Sequence, residues 1–324
     1  MCVPYLTVSS VHQVGLASTR AYQADVILSA KSLMDPLDQV QLTRLMKLTR
    51  GRREVAIGLI DGPIALGHPD LTNENIRSVS GKDPGSCVRA NSAACMHGTF
   101  VAGILCATRD SPAPAICPNC TLFARPIFAE MTSGNRQMPS ATAEELASAI
   151  HETIDKGVRI INMSVALARP STKRERELEE ALNRAARQSI MIIVAAGNQG
   201  AIGSSSITRH NWVIPVVAYD LGGRPMGLSN LGSSIGKRGL GAPGENISSL
   251  SSSGKTLTLS GTSAATPFVT GTIALLWSEF PKASAAELRF ALGLSAHGRK
   301  STIVPPLLNA WNAYTVLRRN NSTG

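Results

Sequence analysis

The chain has 324 residues, 43% hydrophobic and 17% charged, with a net charge of +10. That length and balance exclude a disordered or low-complexity chain and leave room for a sizeable core, read here as one large domain with short additions. The most apolar run, Phe268 to Trp277, is about half the length a bilayer crossing needs, which excludes a membrane span.

Polar residues Ser9, His12, Gln13, Ser18 and Arg20 interrupt the apolar positions near the start, so no secretory signal is read and a cytoplasmic location is expected. The basic cluster Arg44, Lys47, Arg50, Arg52 and Arg53 comes without an aromatic platform, aromatics being 4% of the chain. It reads as a solvated face, or one that attracts an acidic peptide, and no nucleic-acid partner is expected.

Residues 1–36 read as an irregular arm, and Pro36 to Leu48 as a helix. Val55 to Ile60 is a short apolar strand that delivers Asp61 at its carboxyl end, and His97 opens an apolar helix running to Cys106. Thr121 to Ile127 is the next strand. Thr142 with Glu145 forms a capping box for a helix whose apolar residues recur at helical spacing until Gly157 stops it. Val158 to Ser164 is a buried strand, Thr172 with Glu175 caps another helix, and Ile190 to Ala196 is a further strand. The mixed charges from Lys173 to Glu177 read as an exposed helix side. Trp212 to Ala218 is extended and peripheral, because Pro215 cannot donate to a ladder. Leu240 to Leu250 is extended, Ser284 with Glu287 caps a helix, Leu307 to Leu317 is a last surface helix, and Arg318 to Gly324 is frayed.

Apolar strands separated by amphipathic helices imply an α/β fold whose mostly parallel central sheet is covered by helices on both faces. Ligands of such sheets collect at the carboxyl ends of the strands. Asp61, Ser164 and Asn198 each fall at such an end. Between Ser260 and Pro267, small residues and a proline open an apolar segment that ends near Phe280, the pattern of a helix N-terminus with Ser263 at its mouth.

The wording Gly261-Thr262-Ser263-Ala264-Ala265-Thr266-Pro267 resembles the nucleophile motif of the subtilisin-like serine proteases. Val55 to Gly62, His97-Gly98-Thr99 and Ala195-Ala196-Gly197-Asn198 resemble that family's aspartate, histidine and oxyanion segments, in the family's order. The resemblance implies a three-layer subtilisin-like fold, with residues 55–300 as the peptidase domain, 1–54 as an arm and helix, and 301–324 as a helix and tail packed on the same domain. It implies Ser263 as nucleophile, His97 as base, Asp61 as the group that orients the base, and Asn198 as oxyanion donor. It maps the peptide-binding edge onto Ser164, Val165 and Ala166 and the loop from Thr132 to Pro139. Val165-Ala166-Leu167 stands where the family commonly has Leu-Gly-Gly, adding side chains where backbone normally approaches the substrate. Phe100 stands where the family often repeats a histidine.

Five of six cysteines lie between Cys87 and Cys120. Cys117 and Cys120 with Cys87, Cys95 and His97 suggest zinc, but the regular second pair is missing, so thiols or local disulfides are the preferred reading. His68-Pro69-Asp70 reads as loop structure. No cofactor is expected for catalysis. Family members often bind calcium for stability, and no acidic cluster marks a site here. The function implied is a serine endopeptidase acting through an acyl-enzyme. Ile60-Asp61-Gly62-Pro63 and Arg125-Pro126-Ile127-Phe128-Ala129 are similar to the cyanobactin-maturation branch, which trims precursor peptides. A general intracellular protease and a catalytically silent peptide-binding scaffold stand as alternatives.

Overall fold

A computed structural model describes residues 34–71, 73–79, 86–130, 141–165, 175–295 and 303–321. In chain order these form α1 (Pro36–Gln39), α2 (Leu42–Leu48), β1 (Ala56–Asp61), β2 (Ile76–Ser78), α3 (Ala93–Cys106), β3 (Thr121–Pro126), α4 (Ala143–Ile154) and β4 (Ile160–Met163). Then come α5 (Arg176–Arg187), β5 (Met191–Ala195), α6 (Ser206–Arg209), β6 (Val213–Tyr219), α7 (Ser233–Arg238), β7 (Leu240–Pro243), β8 (Ile247–Leu250), β9 (Thr256–Leu259), α8 (Thr262–Glu279), α9 (Ala285–Ser295) and α10 (Ala310–Asn321).

Strands β1 to β7 make one parallel sheet in the order β2-β3-β1-β4-β5-β6-β7, and β8 pairs with β9 as an antiparallel hairpin. The chain lays β2 and β3 on one side of β1, then passes back to build β4 through β7 on the other. The carboxyl end of β1 is therefore the switch point where such sheets leave a crevice.

Alternation along the strands sends side chains to two separate cores. Ile57, Leu59, Met191, Ile193, Ile214 and Val216 pack with the apolar faces of α3 and α8. Ile60, Ile161, Met163, Ile192 and Val194 pack with Leu146 and Ile150 of α4 and Leu178 and Leu182 of α5. Helices α4 and α5 keep a polar outer side. By contrast α3 is buried throughout from His97 to Cys106, and α8 is buried at all but its second and last residues. A helix apolar all round belongs in the middle of a molecule, and that is where these two lie. Among the described residues no helix is long and apolar enough to cross a membrane.

Several local expectations are corrected. The helix expected over Pro36 to Leu48 is two, because Gln41 adopts the left-handed conformation (φ 56°) between them, while Val40, Leu42 and Leu45 are fully buried. Helix α3 begins before His97: the Ser92 hydroxyl accepts from Cys95 N at 3.1 Å and starts it at Ala93. Strand β6 is not peripheral, since it lies between β5 and β7 with all seven residues buried, and Pro215 in register with Val194 removes one donor only. The stretch from Leu240 to Leu250 divides into β7 and β8, and the partner strand β9 had no clear signal. Arg318 to Asn321 is helical. The capping boxes of α4 and α9 form as expected. Thr172 lies outside the described residues, as do Lys173 and Arg174, and Glu175 takes the N-cap position of α5 without a side-chain cap.

Candidate active site

Asp61 ends β1 and is fully buried; His97 lies in the second turn of α3 and is 8% exposed. Asp61 Oδ1 lies 2.6 Å from His97 Nδ1 and accepts from Gly62 N at 2.6 Å. The nitrogen facing a carboxylate must carry the proton, so Nδ1 is the donor and Nε2 is left as the acceptor. Burial works against a charged imidazole, but the charge of Asp61 and the hydrogen bond to it outweigh burial, and His97 titrates above its ordinary value of 6.5.

The glycines of both motifs have a steric cause. A Cβ on Gly98 would fall 2.3 Å from Gly62 O and 2.4 Å from Pro63 O, so α3 meets the end of β1 backbone to backbone. Thr99 reinforces this contact, its Oγ1 accepting from Ala65 N at 2.9 Å.

Ser263 is the second residue of α8, and within 261–270 it alone is not buried. Its place in the first turn leaves its N–H without an intrahelical acceptor, at the positive end of the helix dipole. Gly261 caps the helix at φ 139°, a conformation side chains disfavour, and a Cβ there would lie 2.9 Å from Asn198 Nδ2. Pro267 is the sixth residue of α8, beyond the first turn where proline costs nothing. It cannot donate to Ser263 O, four residues back. The hydroxyl of Ser164 takes that role, donating to Ser263 O at 3.1 Å.

Asn198 follows β5, and its Oδ1 accepts from both Thr262 N and Thr262 Oγ1 at 2.9 Å. The bond from Thr262 N identifies that atom as oxygen, so the amide NH2 is the donor end of Asn198, with no acceptor among the described residues. Thr262 Oγ1 in turn accepts from Gly197 N at 3.2 Å, closing a small ring of bonds. Asp61, Ser164 and Asn198 thus stand at the ends of the adjacent strands β1, β4 and β5, which together span about 10 Å.

Of the expected peptide-binding residues, Ser164 is buried and also accepts from Asn162 Nδ2 at 3.0 Å, while Val165 packs partly against the core beneath α4 and α5. Ala166 and the loop from Thr132 to Pro139 lie outside the described residues. Phe100 is fully buried in the core.

Sequence reasoning missed three contributors. Asn162 Oδ1 accepts from Thr270 Oγ1 at 2.7 Å, bracing β4 against α8; an asparagine inside an apolar strand was the available signal. Thr262 stood unremarked inside the nucleophile motif. Glu130 accepts from Val88 N at 2.7 Å, Arg89 N at 2.8 Å and Ser92 Oγ at 3.1 Å, pinning the loop that leads into α3, and nothing local marked it.

Cys87 and Cys95 form a disulfide, and Cys106, Cys117 and Cys120 are buried thiols. The zinc set suggested by spacing is therefore not assembled. Among the described residues one group of possible metal ligands clusters, Cys87, Cys95 and Glu130, and two of its sulfurs are spent on each other. His68 accepts from Asp70 N at 3.1 Å within its own loop. Arg44 stacks over Trp311 and Arg53 pairs with Glu74, so part of the basic cluster serves the protein's own structure.

Comparison with known proteins agrees with this geometry. Residues 52–315 match the Subtilase family. A thermostable alkaline protease of Halalkalibacterium halodurans is 32% identical over 241 residues, which is 74% of this chain and 61% of that protein. Subtilisin DY of Bacillus licheniformis is 31% identical over 247 residues, 75% of this chain and 83% of that protein. The solved structure of the prenylagaramide maturation protease PagA is 28% identical with a TM-score of 0.75, covering 85% of this chain and 98% of that chain. The chain belongs to the subtilase family of serine endopeptidases.

Proposed function

We propose that Ser263 attacks the scissile carbonyl, that His97 Nε2 takes its proton and then gives it to the leaving amine, and that Asp61 holds the imidazole in the required tautomer. The oxyanion formed in the attack is held by the Asn198 amide and the Ser263 N–H. Water then releases the acyl group by the same steps in reverse roles. The observation that carries this reading is the buried 2.6 Å contact between His97 Nδ1 and Asp61 Oδ1 at the switch point of the sheet. Labelling by a fluorophosphonate probe tests it: the wild type should label and Ser263→Ala should not. A folded wild type that stays unlabelled would favour a silent peptide-binding scaffold.

The substrate we infer is a precursor peptide of a modified natural product, cut at a defined site. Support comes from the likeness to PagA, named a prenylagaramide maturation protease, and from the Ile60 to Pro63 and Arg125 to Ala129 segments. The chain's likeness to a thermostable alkaline protease favours the general reading instead. Digestion of an unrelated unfolded protein decides between them: widespread cutting would leave the dedicated role without support. No cofactor enters these steps.

A further inference from the structure

At the end of the sheet opposite Asp61 and Asn198, where β6 and β7 begin, a cavity of about 780 Å³ opens between α7 and α9. Ile214, Leu240 and Leu292 supply apolar walls, and Lys237, Arg238 and Arg289 supply charge; no acidic side chain among the described residues lines it. That volume suits a few amino-acid residues better than a lone inorganic ion.

Both arginines are ordered by neutral groups. Arg238 Nη2 donates to Thr208 O at 3.1 Å and Arg209 O at 2.9 Å, which uses both its hydrogens, and Arg238 Nε is buried with no acceptor among the described residues. Arg289 donates to Trp212 O and, at 3.2 Å, to Asn211 O, and its guanidinium lies 4.7 Å from the centre of the Trp212 ring. Burial lowers the pKa of each, and for Arg289 the neighbouring Arg238 charge lowers it further. Two cations are thus held in fixed positions at a cavity, unneutralised by any carboxylate among the described residues. Guanidinium groups so placed are prepared for carboxylate binding, because the cost of ordering them is met before a ligand arrives.

Apolar surface continues next to the charge, since Phe290 and Leu294 of α9 are each 58% exposed. A nucleic acid fits less well, because the Trp212 ring has one face under Arg289 and packs in part against the core. The length of β6, seven residues, separates this cavity from the strand ends carrying Asn198 by about 20 Å. An extended peptide needs more than about six residues to reach from one to the other.

We propose that this cavity docks an acidic peptide segment, with carboxylates on Arg238, Arg289 and Lys237 and an aliphatic side chain against Ile214 and Leu240, and that it holds a part of the peptide substrate remote from the cleaved bond. Its second half rests on the peptide-trimming reading above; the docking itself does not.

The test begins with binding to the full-length Ser263→Ala protein, read by fluorescence anisotropy of a labelled hexapeptide of alternating Glu and Leu. The expected result is saturable binding that weakens at least tenfold between 50 and 500 mM salt, and at least tenfold in Arg289→Gln. Lys237→Glu, at an exposed position, should weaken it severalfold with an unchanged melting temperature, which covers the case in which Arg289→Gln does not fold. Equal binding of a Gln-Leu peptide, undiminished binding in folded Lys237→Glu, or glutarate binding as tightly as the peptide would overturn the proposal. A second arm compares kcat/KM for one cleavable peptide with and without a distal Glu-Leu extension. The extension should raise it about tenfold in the wild type, and the gain should vanish in Lys237→Glu; because this is a ratio, general losses cancel. No gain despite binding overturns the substrate half, whereas no turnover of either peptide overturns the catalytic reading and leaves docking to be decided by anisotropy.

Discussion

The Asp61 carboxylate lies 2.6 Å from His97 Nδ1, and its own strand returns a second bond to the same oxygen through Gly62 N. The aspartate is therefore fixed before the histidine meets it, and the pair moves as one piece with the end of β1.

A pH profile follows. The imidazole must be neutral to accept a proton, and its pKa is raised because Asp61 outweighs burial. Peptidase activity should rise with pH through an inflection above about 6.5. Asp61→Asn should lower kcat about 10⁴-fold and move the inflection down. Stability runs the other way: with the folded pKa above the unfolded one, the contribution is complete below about 6.5 and fades as pH rises through the raised value. The kcat/KM profile and melting temperatures from pH 5 to 9 check both signs.

Asn198→Ala should reduce kcat about 10²- to 10³-fold with little change in KM, the loss known for removing such a donor from subtilisin itself. Thr262→Val removes the hydroxyl that holds Asn198 Oδ1 while keeping the side-chain shape. It should cost about tenfold in kcat, one hydrogen bond's worth. Steady-state kinetics on a single peptide substrate would separate the two.

Ser164→Ala strips Ser263 O of its donor and should destabilise the fold by about 1 to 3 kcal/mol in urea titration. Pro267→Ala restores the missing helical N–H, so the cost of Ser164→Ala should shrink in that background. The remainder belongs to Asn162 Nδ2, which also bonds to Ser164 Oγ. An equal cost in both backgrounds would mean that the serine does not stand in for the absent amide.

Gly98→Ala should harm catalysis more than stability. Its Cβ meets main-chain oxygens that cannot turn away, so α3 must move off β1 and carry His97 from Asp61. The expected sign is a fall in kcat of tenfold or more in a protein that still melts cooperatively.

Removing the Cys87–Cys95 disulfide by double serine substitution should cost about 2.5 kcal/mol, the loop-closure entropy for a sequence separation of eight. Equal urea midpoints for wild type with and without reductant would argue against a stabilising bridge.

Much of the fold was legible because the strands are continuous apolar runs and the outer helices carry complete capping boxes, as Thr142 with Glu145 does. The positions of Asp61, Ser164 and Asn198 at strand ends followed from the strand pattern, independently of the family likeness. What stayed hidden depends on long-range partners. Ser92 starting α3 gives no periodic signal, and β6 takes an interior place because its neighbours bury it despite Pro215. Glu130 serves the loop before α3 from about forty residues away, a distance no local pattern spans.

Pro267 also bears on when a growing chain becomes active. All seven strands of the sheet precede α8 in the sequence, so the helix leaves the ribosome after the platform that must complete it. Its missing bond is supplied by β4's end only once docked. A truncated or half-made molecule would carry Asp61, Ser164 and Asn198 without a docked Ser263, so under the proposed mechanism cleavage waits until the fold is complete.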